Sequence, residues 1–161
     1  MPPLSKSVMF EPIFAEAYYC RPMNHGPDQN SIQDLLEKQG IQATAQRMLI
    51  AELLFARDQH LTAEQIIQTL ADRGTDVSKA TVYNTLNLFA AKGLVKPLQV
   101  DPERGLFDSN MQPHYHFHLE DTGELIDVPP GEVEFARLPP LPPGTESVAV
   151  DVVIRVRRQS S

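Results

Sequence analysis

Ser78-Lys79-Ala80-Thr81-Val82-Tyr83-Asn84-Thr85-Leu86-Asn87-Leu88-Phe89-Ala90-Ala91-Lys92-Gly93 is the stretch on which the fold turns. Ser78 is a good helix cap and Gly93 a good stop, so the spacing predicts a helix over 79–91. Val82, Leu86 and Phe89 fall on one face at helical spacing. Lys79, Thr81, Tyr83, Asn84 and Asn87 fall on the other. Directly after it, residues 94–100 and 106–108 read as strands around Asp101-Pro102-Glu103-Arg104-Gly105, a hairpin pattern.

Upstream, three more helices are legible. Ser31 caps a short one over 32–39, ended by Gly40. Thr44 caps a second, with Met48, Leu49, Leu53 and Leu54 as its apolar stripe. Thr62 with Gln65 three residues on predicts a capping box for a third, with Ile66, Ile67 and Leu70 buried and Gly74 at its end. Short helices followed by a hairpin make a winged helix-turn-helix, whose second motif helix enters the major groove of DNA. On that helix Lys79, Thr81, Tyr83 and Asn84 are the candidate DNA contacts. Hydroxyls and amides bond base edges, and Tyr83 can meet a thymine methyl or a phosphate. An ordinary amphipathic helix with a solvated face is the alternative.

Charge limits the partner. The net charge of −7 argues against an indiscriminate nucleic-acid binder. Residues 76–97, however, carry Lys79, Lys92 and Lys96 against Asp76 alone, and Arg155-Val156-Arg157-Arg158 is basic. DNA affinity resting on such local patches should be moderate and salt-sensitive.

The last third changes character. Pro113-His114-Tyr115-His116-Phe117-His118 alternates, which puts the three histidines on one face of a strand and the aromatics on the other. Three of the chain's five histidines lie here. Neutral imidazoles are ligands for small transition metals and for haem iron. A solvated polar strand face is the competing reading. Residues 114–120 and 124–128 read as paired strands, 131–138 as a brief helix, and 139–144 as a proline connector. Residues 147–156 read as a β-branched strand. The expected class is therefore α+β: a flexible arm over 1–30, a winged-helix domain over 31–110, and a small α/β dimerisation and sensing domain over 111–161. So small a unit buries little core alone, and pairing with a second copy would help.

No apolar run approaches the roughly 20 residues of a membrane span, and the first residues make a poor signal peptide. The one cysteine, Cys20, excludes an internal disulfide and any Cys-pair zinc site. These features predict a cytoplasmic protein.

The segments Thr44-Ala45-Gln46-Arg47, His60-Leu61-Thr62-Ala63-Glu64, Ser78 to Leu86 and Gly93-Leu94-Val95 together closely resemble the ferric uptake regulator family. The likeness continues through Phe107-Asp108, His114-Tyr115-His116 and Gly123-Glu124-Leu125-Ile126-Asp127, so it covers roughly residues 31–158. Within the family the chain is most similar to the iron response regulator (Irr) branch. Asp108 followed closely by His-Tyr-His without a cysteine pair, the prolines after a shortened helix, and the ending Asp151 to Arg158 carry that likeness. The resemblance implies a homodimeric transcriptional regulator of iron and haem homeostasis, binding a double-stranded operator and not an enzyme. It implies a metal site of His60, Asp108, His114 and His116 for Fe(II) or Mn(II), and haem at His114, His116 and His118 that weakens operator binding. Such a site would join the two domains and set the spacing of the recognition helices.

Departures from the family are specific. No cysteine pairs exist for the usual structural zinc held by four thiolates. Gln42 stands where a minor-groove lysine is often found, and Cys20-Arg21-Pro22 breaks the Cys-Pro haem motif. A mononuclear metalloenzyme with a His/His/carboxylate site is the alternative function. It lacks any nucleophile motif and would need a substrate cleft in a small domain.

Overall fold

A computed structural model describes residues 28–159. Cys20, His25 and most of the N-terminal arm lie outside the described residues. Four helices come first: α1 (Gln29–Lys38), α2 (Ala45–Phe55), α3 (Ala63–Asp72) and α4 (Lys79–Ala91). A short strand β1 (His60–Thr62) leads into α3, and the hairpin β2 (Lys96–Asp101) and β3 (Arg104–Asp108) follows α4. The remainder holds β4 (Tyr115–Leu119), β5 (Leu125–Val128), a 3-10 turn (Pro130–Glu132) and β6 (Val153–Val156).

The caps explain the helix boundaries. Thr44, Thr62 and Ser78 each accept a bond from the backbone N–H three residues on, and Thr62 with Gln65 completes the reciprocal box. The first helix differs from expectation. Asp28, not Ser31, is its cap: the carboxylate accepts from both the N–H and the hydroxyl of Ser31, at 2.8 and 2.7 Å. An ionised acceptor outcompetes a hydroxyl, so the helix starts earlier.

The apolar faces of α1 to α4 close one core around Leu36, Ile50, Leu54, Ile66, Leu86 and Phe89. Two three-stranded sheets flank the connector 109–114, ordered β1-β3-β2 and β5-β4-β6. β1 was not expected as a strand. It pairs antiparallel with β3 and sets His60 opposite Asp108. The helix expected over 131–138 is not formed. Pro129 and Pro130 allow one 3-10 turn, and Val133 is already extended. The strand expected over 147–156 is only Val153–Val156, running parallel to β4. Residues 147–150 find no ladder partner among the described residues, and Val148 stays 94% exposed.

The wing is docked on the second sheet. Leu98, Val100 and Leu106 of the hairpin bury against Leu125 of β5. Arg155 of β6 donates to the Val100 carbonyl (2.9 Å) and to Nδ1 of His118 (3.0 Å). Lys96 of β2 pairs with Asp151 at 2.6 Å. Gly123 turns β4 into β5 with φ +73°, where a side chain would be strained and would meet Arg104 of the wing at 3.0 Å. No helix among the described residues is long and apolar enough to cross a membrane.

Leu125 is the one β5 residue in the wing cluster. Leu125→Ala should therefore lower stability by about 2 kcal/mol or more. Denaturant unfolding reads the loss, and hydrogen exchange should show the wing amides losing protection before those of α4.

Candidate metal centre

Each donor is placed by its own local structure. His60 opens β1 and Asp108 closes β3, so their pairing brings both to one end of the first sheet. His114 precedes β4 and His116 lies within it, on the face expected from the alternation. β5 adds a residue that the sequence reading did not assign: Asp127 sits opposite His116 in the ladder.

Five atoms converge where these elements meet. His114 Nε2 lies 2.9 Å from His116 Nε2, and His116 Nε2 lies 3.1 Å from His60 Nε2. Asp108 Oδ2 is 2.9, 3.3 and 3.6 Å from the Nε2 atoms of His114, His116 and His60. Asp127 Oδ1 is 3.0, 3.5 and 3.9 Å from those of His60, His114 and His116. Donors held about 2.1 Å from a shared ion at right angles lie about 3.0 Å apart. The spacing is that of a coordination shell.

A tight hydrogen-bond circuit aims these donors. Asn110 donates its backbone N–H to one oxygen of Asp108 and its side-chain amide to Asp127 Oδ2, both at 2.8 Å. Its own Oδ1 accepts from the Gln112 N–H at 3.1 Å. The Gln112 carbonyl then meets His114 Nδ1 at 2.7 Å. A carbonyl only accepts, so Nδ1 carries the proton and Nε2 offers a bare lone pair to the centre. Nothing in the sequence pattern marked Asn110 or Gln112.

The electrostatics call for a cation. Asp108 is fully buried, and Asp108 Oδ2 and Asp127 Oδ1 have no hydrogen-bond partner among the described residues besides the imidazoles of the centre. Both nevertheless stay ionised. Burial pushes Asp108 up, but the hydrogen bonds from His116 and His60 hold it well below the usual carboxylate range. Asp127 is lowered too: His60 and Asn110 outweigh its desolvation. Burial would lower His60, yet its bonds to Asp108 and Asp127 and their charges raise it to about 9. In the metal-free protein a proton on His60 thus supplies the positive charge. Three imidazoles with two carboxylates suit Mn(II), Fe(II) or Zn(II), while calcium and magnesium prefer oxygen alone.

The structure brings His60, Asp108, His114 and His116 together, with one donor atom of each within 4.8 Å of the others. His118 is not part of the cluster. It is buried further along β4, with Nδ1 on Arg155 and Nε2 unpartnered among the described residues. The DNA-face candidates lie together on α4. Lys79, Tyr83 and Asn84 are exposed, while the Thr81 hydroxyl is 2.9 Å from Ser78 Oγ at the cap. Thr44 at the cap of α2, with Gln46 and Arg47 of that helix, lines one polar crevice with Thr81 and Asn84. Arg47 adds a cation the sequence reading passed over.

The fold and the site define a winged-helix protein with a candidate cation centre whose donors come from its two sheets. The chain belongs to the ferric uptake regulator family, whose model matches residues 38–137. Over 92 residues it is 37% identical to the peroxide-responsive repressor PerR of Staphylococcus epidermidis, covering 57% of this chain and 61% of that one. The match thus spans about three fifths of that relative's length. The ferric uptake regulator of Pseudomonas aeruginosa, solved with manganese, superposes with a TM-score of 0.62 at 30% identity, covering 80% of this chain and 98% of that one. The Vibrio cholerae regulator, with a TM-score of 0.61 at 23% identity over 78% and 98% of the two chains, shares the fold.

His60 must lose its proton to bind a metal, and it holds that proton up to about pH 9. Mn(II) affinity should therefore rise about tenfold per pH unit from pH 7 to 9 and then level off. Both carboxylates are ionised throughout and add no slope. Competition titrations in matched buffers read the slope; a flat profile would place the proton elsewhere. The metal-free protein behaves in the opposite sense. The stability from charged His60 is complete below about 6.5, its unfolded value, and is lost as pH rises through about 9.

Proposed function

We propose that this protein is a dimeric transcriptional regulator whose operator binding is switched on by a divalent cation, Fe(II) or Mn(II), at the inter-sheet centre. The observation that carries the reading is the split origin of the donors. His60 and Asp108 come from the winged-helix sheet, while His114, His116 and Asp127 come from the other. A bound ion supplies the positive charge that these groups lack. Its coordination ties the two sheets and fixes the pose of α4 relative to the dimerising unit. In a homodimer that pose sets the distance between two recognition helices, and so their match to operator half-sites.

The dimer rests on the exposed apolar surface of the C-terminal part: Val148, Val150, Val153 and Ile154 are all partly or fully uncovered. A second copy laid along this segment would bury them. Iron and haem genes as targets follow from the likeness to the Irr branch. Family relatives are regulators by name, PerR and the ferric uptake regulators, and none of those named is an enzyme. The five-donor centre leaves little open coordination for a substrate, which also disfavours the metalloenzyme.

Haem at His114, His116 and His118 finds less support. The first two face a crowded centre between two carboxylates, and His118 is engaged by Arg155. A porphyrin would have to open the junction, which would release the operator rather than secure it.

The test is a DNA mobility shift with a selected operator, with and without Mn(II) and with haem as a separate arm. Mn(II) should tighten binding, and His114→Ala with His116→Ala should abolish the Mn(II) effect while the fold survives. Tyr83→Ala and Asn84→Ala should each cost roughly 1–3 kcal/mol of specific binding. Lys92→Ala should lower the salt slope if it meets phosphate. Tight binding that ignores Mn(II) would reject the switch.

A further inference from the structure

The hydroxyl of Tyr83, on the exposed face of α4, donates a short hydrogen bond to Oε1 of Glu64 in the first turn of α3. Tyr83 keeps 42% of its surface exposed, so its ring is free to meet a partner while its tip is engaged. Glu64 is well held. It follows Thr62 in the Thr62–Gln65 capping box, whose two bonds are 3.1 and 2.8 Å, and Lys79 lies near it.

A phenol has one proton to give, and an ionised carboxylate can only accept. The Tyr83 proton is therefore committed to Glu64, and only lone pairs remain on its oxygen. We propose that Glu64 is a specificity-determining residue: by taking the only hydroxyl proton of Tyr83, it makes the tip of the reading side chain an acceptor. The inference deepens the DNA-binding reading and rests on it.

Two consequences separate base edges from backbone. In the major groove the donors are the amino groups of adenine and cytosine, so the clamped Tyr83 reads one of these. Phosphate oxygens, thymine O4 and guanine O6 are acceptors, and the clamped hydroxyl has nothing to donate to them. The Glu64 carboxylate also repels phosphate, which disfavours seating the pair on the backbone. Glu64 thus removes the sequence-blind option open to a free tyrosine. In agreement with the clamp, Glu64 is lowered chiefly by the Tyr83 bond and Tyr83 is raised chiefly by Glu64.

The experiment uses the full chain loaded with Mn(II) and a duplex selected from a random-sequence pool. Affinity for that duplex is compared with affinity for a scrambled duplex. Glu64→Ala should cut the ratio about tenfold, the scale of one base-edge contact, because the freed hydroxyl can now bond phosphate. In a Tyr83→Phe background the same substitution should change both affinities by charge alone and leave the ratio unmoved. An unchanged ratio with Tyr83 present, or an equal fall with Phe at that position, would overturn the proposal. A DNA-free readout checks the clamp itself. In 13C-tyrosine spectra Tyr83 should titrate above its ordinary value of about 10 and return toward it in Glu64→Ala. No difference between the two would overturn the clamp even if DNA binding is intact. A Mn(II)-loaded protein that selects no duplex at all would overturn both the DNA reading and this inference.

Discussion

Bare lone pairs and negative oxygens facing one another across about 3 Å are the constraint on which this structure depends. The neutral His114 ring keeps its proton on Nδ1, which donates to the Gln112 carbonyl, so it is Nε2 that turns its lone pair to the centre. Asp108 Oδ2 and Asp127 Oδ1 are buried with no partner among the described residues besides the imidazoles of the centre. Like polarity at such separations repels, and the interior screens it weakly. Either a proton on His60 or a cation must sit among them. Because the donors come from two sheets, whatever supplies that charge also decides how firmly the sheets are joined.

The rest of the junction supports this arrangement without replacing it. The wing cluster of Leu98, Val100, Leu106 and Leu125, with Arg155 on the Val100 carbonyl, gives the sheets an apolar contact beside the polar one. The surface pair Lys96–Asp151 adds little, as exposed ion pairs do. An apolar contact with one hydrogen-bonded arginine is modest enough to open and re-form. The polar centre is then the part whose strength changes with conditions, which is the property a switch needs.

Much of the winged helix was legible in the sequence because its signals are local. Three helix starts, at Thr44, Thr62 and Ser78, are set by a hydroxyl and the N–H three residues on. The same locality explains the miss at Asp28: two good caps lay within one turn, and charge decided between them. The C-terminal part was less legible. The β-branched run 147–156 has strand propensity along its length, but only Val153–Val156 finds a partner in β4. Propensity without a partner does not make a strand. Four donors of the site were visible as a histidine alternation and a family likeness. Asp127 was not, because its place depends on the register across the β4–β5 turn, where it falls opposite His116. His118 shared the alternation with its neighbours but not their surroundings, and Arg155 claims it instead.

The central claim is that a single divalent ion takes imidazoles from both sheets at once. X-ray absorption at the metal edge of the Mn(II)-loaded protein counts those imidazoles directly. The account predicts three imidazoles with oxygen donors completing the shell, falling to two imidazoles in His60→Ala and in His116→Ala alike. A count that is the same in His60→Ala as in the unaltered protein would mean that the winged-helix sheet contributes no imidazole, and would contradict the account.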